Sequence, residues 1–408
     1  MLGLATLAGV LWFTACADFD IWIFAWFASV PLLWVVEHAK TTKRAVYYSW
    51  FSGIVGNAGG FYWIIGSLER FGHLPWIVAA LLFLLLAAYQ ATVMLLFAWV
   101  TRTIRQRTTL PMTLVAPVVM VTFELVVPFL FPYYLAITQA WQLHVIQIAD
   151  LTGPLGVSGV LMLVNGAIYD LATERRKRLV PALAAAAILA GALLYGHVRL
   201  GQIRDARAAA PHIKVGVVQP NVSFDMMGVE ILGFAQLSDL LDCSRQLEAE
   251  RADLILWTEG SFPYALGPRD LQPERSTGMR KMFGFDVPLV MGAITREDDP
   301  EAYPHNSALM LDKEGRFTAR FDKIFLLMFG EYIPGARDVP VDQEVHATRR
   351  RARRARQEDR HLPVPARRQG VPARADDLLR GHPAHVRAQA RGAAPAPARQ
   401  HHQRRLLR

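Results

Sequence analysis

Three residues of this 408-residue chain have types and positions that could do chemistry together: Glu259, Lys323 and Glu331. Glu259 comes two residues after the apolar run Leu254-Ile255-Leu256-Trp257. Lys323 stands in Phe321-Asp322-Lys323, and Glu331 in Phe329-Gly330-Glu331-Tyr332-Ile333-Pro334. A carboxylate can take a proton, and an ammonium beside it can stabilise negative charge developing on an oxygen. Singly, each reads as an ordinary solvated side chain after a strand. Their order along one alternating pattern is what groups them.

That pattern begins at about His212, where short β-branched runs alternate with amphipathic and turn segments. Ile213 to Pro220 reads as a buried strand ending in a loop, Gly228 to Arg251 as a helix, and Leu254 to Trp257 as the next strand. Leu289 to Ile294 is a third strand. Asn306 to Leu311 followed by Asp312-Lys313-Glu314-Gly315-Arg316 reads as a hairpin, in which Asn306 has the character of a capping side chain.

Ahead of this α/β region lie seven apolar stretches, at about 2–16, 20–37, 46–68, 75–100, 112–131, 154–172 and 179–198. Most are near the ~20 helical residues needed to span a hydrocarbon core. Composition agrees, with 52% hydrophobic and only 19% charged residues. Lys40, Lys43 and Arg44, then Arg102, Arg105 and Arg107, then Arg175, Arg176, Lys177 and Arg178 fall in alternate loops. The positive-inside rule then puts the N-terminus inside the cell and everything after the seventh stretch outside.

The formal charge of +9 is no footprint for nucleic acid. Residues 345–408 carry 17 Arg, no Lys and four acids, so the rest of the chain is net negative. Two cysteines, Cys16 and Cys243, are too few for a disulfide framework, and Cys243 reads as a packed thiol in an amphipathic run. The twelve His form no metal-binding spacing, so neither metal nor cofactor is expected.

In series, Glu259, Lys323 and Glu331 resemble the carbon–nitrogen hydrolase (nitrilase) superfamily. With the apolar stretches ahead of it, the chain resembles bacterial apolipoprotein N-acyltransferases over most of residues 20–337. The resemblance rests on His73-Leu74-Pro75, Leu84 to Tyr89, Val218-Gln219-Pro220-Asn221, Trp257-Thr258-Glu259 and Lys323 through Pro334. It implies a polytopic α-helical membrane bundle over residues 1–200 and an αββα nitrilase-like domain over 212–337, incomplete at its C-terminal end. Glu259 would be the general base, Lys323 the oxyanion partner, Glu331 a second carboxylate and Asn306 a substrate-binding residue. A cysteine attacks as thiolate, so such a site must both accept its proton and hold the resulting oxyanion. The implied reaction moves an acyl chain from phospholipid to the N-terminal diacylglyceryl-cysteine of an apolipoprotein, at the inner membrane with the α/β domain periplasmic. The chain departs from the pattern at Phe325, where a His often stands, and at Leu327-Met328 in place of Val-Pro. Two other readings stay open: a membrane-bound amidase or nitrilase, and a non-catalytic pseudoenzyme.

The implied nucleophile is missing. Residues 338–408 are Arg-rich, and from 345 onward they contain no Phe, Trp or Tyr, a composition that cannot offset chain entropy by burial. Asp376 to Ala384 can, however, be encoded so that a one-base shift reads Met-Ile-Cys-Tyr-Glu-Asp-Ile-Leu. His401 to Arg408 can likewise read Ile-Thr-Asn-Asp-Ala-Phe-Phe-Gly. Both are motifs of the resembled family, in its order, and the expectation is a frameshifted tail.

Overall fold

The computed structural model describes residues 1–326 apart from 17–18, 73, 132, 175–177, 222–229 and 300–301. The chain divides into two units, Met1–Tyr332 and Ile333–Arg408. The second unit lies outside the described residues, and so do Glu331 and the expected tail at 338–408.

The first 209 residues are helical: α1 (Leu2–Thr14), a 3-10 turn (Trp22–Trp26), α2 (Val30–His38), α3 (Thr42–Phe61), α4 (Trp63–Gly72), α5 (Trp76–Gln90), α6 (Thr92–Arg107), α7 (Met112–Val126), a second 3-10 turn (Leu135–Gln139), α8 (Leu143–Ile146), α9 (Ala149–Glu174) and α10 (Leu179–Ala209). Among the described residues, three stretches are long and apolar enough to cross a membrane: Trp76–Arg107, Ala149–Thr173 and Leu179–Ala209. Leu2–Thr14, Trp22–His38 and Met112–Val126 are apolar but shorter.

The stretch expected at 46–68 is divided at Tyr62 between α3 and α4 and is not among these. Its glycines explain its character. A side chain at Gly56 would collide with Trp12, at Gly59 with Phe13 and at Gly53 with Ala91. Small residues let α3 lie close against α1 and the α5–α6 junction, as in membrane helix pairs whose association depends on backbone approach.

Helix ends are tied by buried polar groups, since carbonyls and amides left open there need partners. Arg102 donates to the carbonyls of Val36 (2.5 Å) and Ala39 (2.7 Å) at the end of α2. Asp170 accepts from the Met112 and Thr113 amides at 3.1 and 2.8 Å at the start of α7. Arg105 pairs with Glu37 at 2.6 Å, and Glu37 also accepts from the Tyr169 hydroxyl. α9 is broken at Gly153, whose φ of 64° is followed by Pro154.

The α/β part comprises β1 (Val215–Val218), α11 (Glu230–Ala249), β2 (Leu254–Trp257), α12 (Pro273–Phe283), β3 (Leu289–Thr295), β4 (His305–Leu311) and β5 (Phe317–Asp322). The strands form one sheet in the order β1-β2-β3-β4-β5, parallel through β3 and antiparallel thereafter. One face buries Val218, Ile255, Trp257, Leu289, Met291 and Leu309 with Leu240 of α11 and Phe283 of α12. The other exposes apolar side chains, with Val217 at 63% and Phe321 at 61%. The strands fall within two residues of expectation, as does α11, whereas α12 is a helix that periodicity did not single out.

Candidate active site

β2 ends at Trp257, which is fixed by its indole N–H donating to Ser244 Oγ of α11 at 2.9 Å. The chain then turns sharply through Thr258, Glu259 and Gly260. Gly260 has φ +62°, and the Ser261 amide and hydroxyl both donate to the Thr258 carbonyl, at 3.2 and 2.6 Å. This turn leans on β3, where the Phe262 amide donates to the Gly292 carbonyl at 3.0 Å. A Cβ at Gly292 would stand 2.5 Å from the Thr258 carbonyl oxygen and 2.8 Å from Glu259 Cα. Gly292 therefore admits the turn, and with it the placement of Glu259.

Lys323 arrives from the other side of the sheet, just past β5. Its amide donates to the Asn306 carbonyl at 2.8 Å, continuing the β4–β5 ladder beyond the Ser307–Asp322 pair. Its Nζ lies 3.2 Å from Glu259 Oε1. The Asn306 side-chain amide donates to the same oxygen at 2.5 Å. Three residues, from the ends of β2, β4 and β5, thus meet at one carboxylate oxygen. The Glu259 side chain is 65% exposed and that of Lys323 36%, so the pair faces a space open to solvent.

Neighbouring side chains alternate across the strand, which separates Asp322 from this cluster. Asp322 accepts from Arg320 (2.8 Å) and Ser307 Oγ (2.5 Å), and Ser307 shares a bond with Thr295 at 2.7 Å. The Arg320 guanidinium and then the Ser307 hydroxyl hold the Asp322 carboxyl below the usual carboxylate range, against the opposing effect of burial. Asp322 is engaged there, and among the described residues Glu259 is a carboxylate that Lys323 meets.

Of the sequence-derived site residues, the structure brings together Glu259, Lys323 and Asn306. Asn306 does not cap the hairpin with its side chain. The turn is closed instead by Asp312, which accepts from the Arg316 amide at 2.7 Å, with Gly315 at φ +86°. Gly292 was missed, although a glycine inside an apolar strand is a signal of close backbone approach. Neither cysteine supplies a nucleophile to the cluster. Cys16 is buried against the Trp12 carbonyl (3.3 Å) and the Tyr133 hydroxyl (2.6 Å). Cys243 is exposed on α11, which corrects its reading as a packed thiol; α11 turns it away from the core that Leu240 and Leu241 enter. Partial burial, then Asp239 and Asp242, push its thiol pKa up, the reverse of what an activated cysteine needs.

The chain as a whole is similar to known proteins. The description "Apolipoprotein N-acyltransferase N-terminal domain" matches residues 8–167. An apolipoprotein N-acyltransferase of Geobacter metallireducens is 29% identical over 83% of this chain and 66% of its own length. The chain is thus similar to apolipoprotein N-acyltransferases over about four fifths of its length, and residues 8–167 match that family's N-terminal domain. A second member, from Bdellovibrio bacteriovorus, is 24% identical over 82% of this chain and 64% of that relative. The chain thus spans a little under two thirds of the length of these relatives. A solved carbon–nitrogen hydrolase from Helicobacter pylori overlaps 29% of this chain and 42% of its own, at 19% identity and a TM-score of 0.21.

Proposed function

We propose that this site belongs to an enzyme that transfers an acyl chain from a phospholipid to the α-amine of an apolipoprotein's N-terminal diacylglyceryl-cysteine, and that the 408-residue chain lacks the nucleophile for it. The observation that carries the reading is the convergence of Lys323 and Asn306 on Glu259 in a chain similar to this family. Glu259 takes the proton of a cysteine thiol. The thiolate adds to the donor ester carbonyl, and Lys323 stabilises the oxyanion. With the C–S bond formed, the tetrahedral adduct collapses, the C–O bond breaks, and the lysophospholipid oxygen leaves with the proton from Glu259. The lipoprotein amine then attacks the thioester and gives its proton to Glu259, an amide C–N bond forms, and the C–S bond breaks to release the thiolate. Glu331, in the family motif that starts at Lys323, acts as a second carboxylate beside the pocket.

In the same reading the helical region lies in the inner membrane with residues 212–337 periplasmic. The tail from about Arg337 is the out-of-frame translation of a segment that carries the cysteine motif. The apolar sheet face at Val217 and Phe321 is what such a segment would cover. The test expresses the gene as written and a version restored by one base near the Arg337 codon, in cells depleted of their own enzyme. Lipoprotein N-termini are then read by mass spectrometry. Triacylation is expected from the restored gene alone. Triacylated lipoprotein from the 408-residue chain would overturn the assignment of the nucleophile.

A further inference from the structure

We propose that the groove between the 3-10 turn Trp22–Trp26, α8 and α10 holds one acyl chain of a bilayer phospholipid, with the phosphate resting against His144 and His197. The inference rests on the membrane-lipid reading above and adds a lipid site separate from the Glu259 cluster. The groove has a volume of about 340 Å³, within the range of small-molecule sites. Trp22 and Trp26 form one wall, Leu143 and Val145 a second, and Leu189 and Leu193 a third.

The third wall identifies the occupant. Only 11% of the apolar window of α10 is buried, against 39% for each of the other two long apolar stretches, so the groove opens beside the one of the three with the most exposed apolar surface. At 1.5 Å per residue, Leu189 and Leu193 lie ~15 and ~21 Å from the helix start, and His197 ~27 Å. The hydrocarbon core is ~30 Å thick, so the leucines contact chains while His197 sits near a headgroup boundary.

The His197 ring stacks on His144 of α8, with centroids 6.0 Å apart and planes 12° apart. The two helices approach closely here, since a Cβ on Gly196 would lie 1.9 Å from the His144 carbonyl oxygen. Each imidazole keeps at least one N–H donor whether neutral or charged, and Gln142 on the rim adds an amide. Beyond them, Arg199 and Asp150 neutralise each other at 2.6 Å. An apolar slot with uncharged or cationic donors at its mouth suits a chain ending in a phosphodiester.

The full chain is reconstituted in vesicles of phosphatidylethanolamine and phosphatidylglycerol containing phosphatidylglycerol with a diazirine at the end of one acyl chain. After illumination, labelled peptides are mapped by mass spectrometry. Labelling at Trp26, Leu189 and Leu193 is expected to exceed that at Leu81 and Leu85, which are 61% and 67% exposed on α5. Leu193→Trp fills the groove and should lower groove labelling roughly tenfold while sparing α5, whereas Leu193→Ala should keep it; a tenfold change corresponds to ~1.4 kcal/mol. His144→Ala with His197→Ala should remove the preference for the phospholipid over a diacylglycerol carrying the same diazirine. Groove labelling no stronger than at α5 overturns the site while leaving the membrane reading intact. A diacylglycerol that labels the unmodified chain equally well overturns the phosphate contact. A chain that fails to enter the vesicles overturns the membrane reading and this inference together.

Discussion

A carboxylate oxygen that accepts from both a lysine ammonium and an asparagine amide is restrained in position without being sealed from water. Exposed ion pairs contribute little to stability, so the Glu259–Lys323 pair matters mainly for the geometry it imposes. In the frame-restored protein, Lys323→Met should cut acyl transfer by about 10²–10³-fold, the scale of losing one oxyanion partner. The unfolding midpoint should hardly move, which thermal denaturation followed by circular dichroism checks. Asp322 should behave in the opposite way. Its carboxyl pKa is lowered by Arg320 and Ser307, so it contributes stability that is present above the unfolded carboxylate pKa of ~3.9 and is lost as pH falls through the lower folded value. Asp322→Asn should therefore destabilise at neutral pH, with the difference shrinking below about pH 4 in a pH series of denaturation curves. Glu259 and Lys323 were legible through their order along the alternating pattern and the resemblance it carries, since singly each reads as a solvated side chain. The contact of Asn306 with Glu259 was not, because it joins residues 47 positions apart and depends on sheet register.

Elements were readable where periodicity was strong, and their junctions were not. The strands expected at 254–257 and 289–294 emerged from short apolar runs. α12, with Lys281, Arg280 and Glu274 among its eleven residues, is too polar for a clear apolar stripe. The turn after β2 depends on a residue of another element, so no local rule could find it. Gly292→Ala should force the Thr258–Gly260 turn to move, at a cost of about 1–3 kcal/mol in stability, and should displace Glu259. In the restored enzyme, activity should fall further than in a β3 variant of equal stability such as Val290→Ala. Matched denaturation and acyl-transfer assays make the comparison. Equal activities in the two variants would reduce Gly292 to packing alone.

At the scale of the whole chain, the alternation of basic loops predicts an orientation that the native thiols can report. Cys243 is exposed. In intact cells with a permeable outer membrane it should react with an impermeant maleimide, as should Lys313→Cys in the β4–β5 turn. With Cys243 replaced by Ser, Lys40→Cys should react only after the inner membrane is broken; the reverse pattern would invert the proposed topology. What composition could not convey is that some of those basic residues end up inside the protein. Arg102 is 8% exposed and spends its guanidinium on the carbonyls that close α2. In the proposed topology that charge would act during synthesis as a hydrated cation that helps decide which way the chain threads; in the folded protein it is a buried clasp between α6 and the end of α2. A lysine keeps the sign but not the planar fork. Arg102→Lys should thus insert with unchanged orientation yet unfold more readily in detergent, separating in one substitution the instruction for biogenesis from the bond that outlasts it.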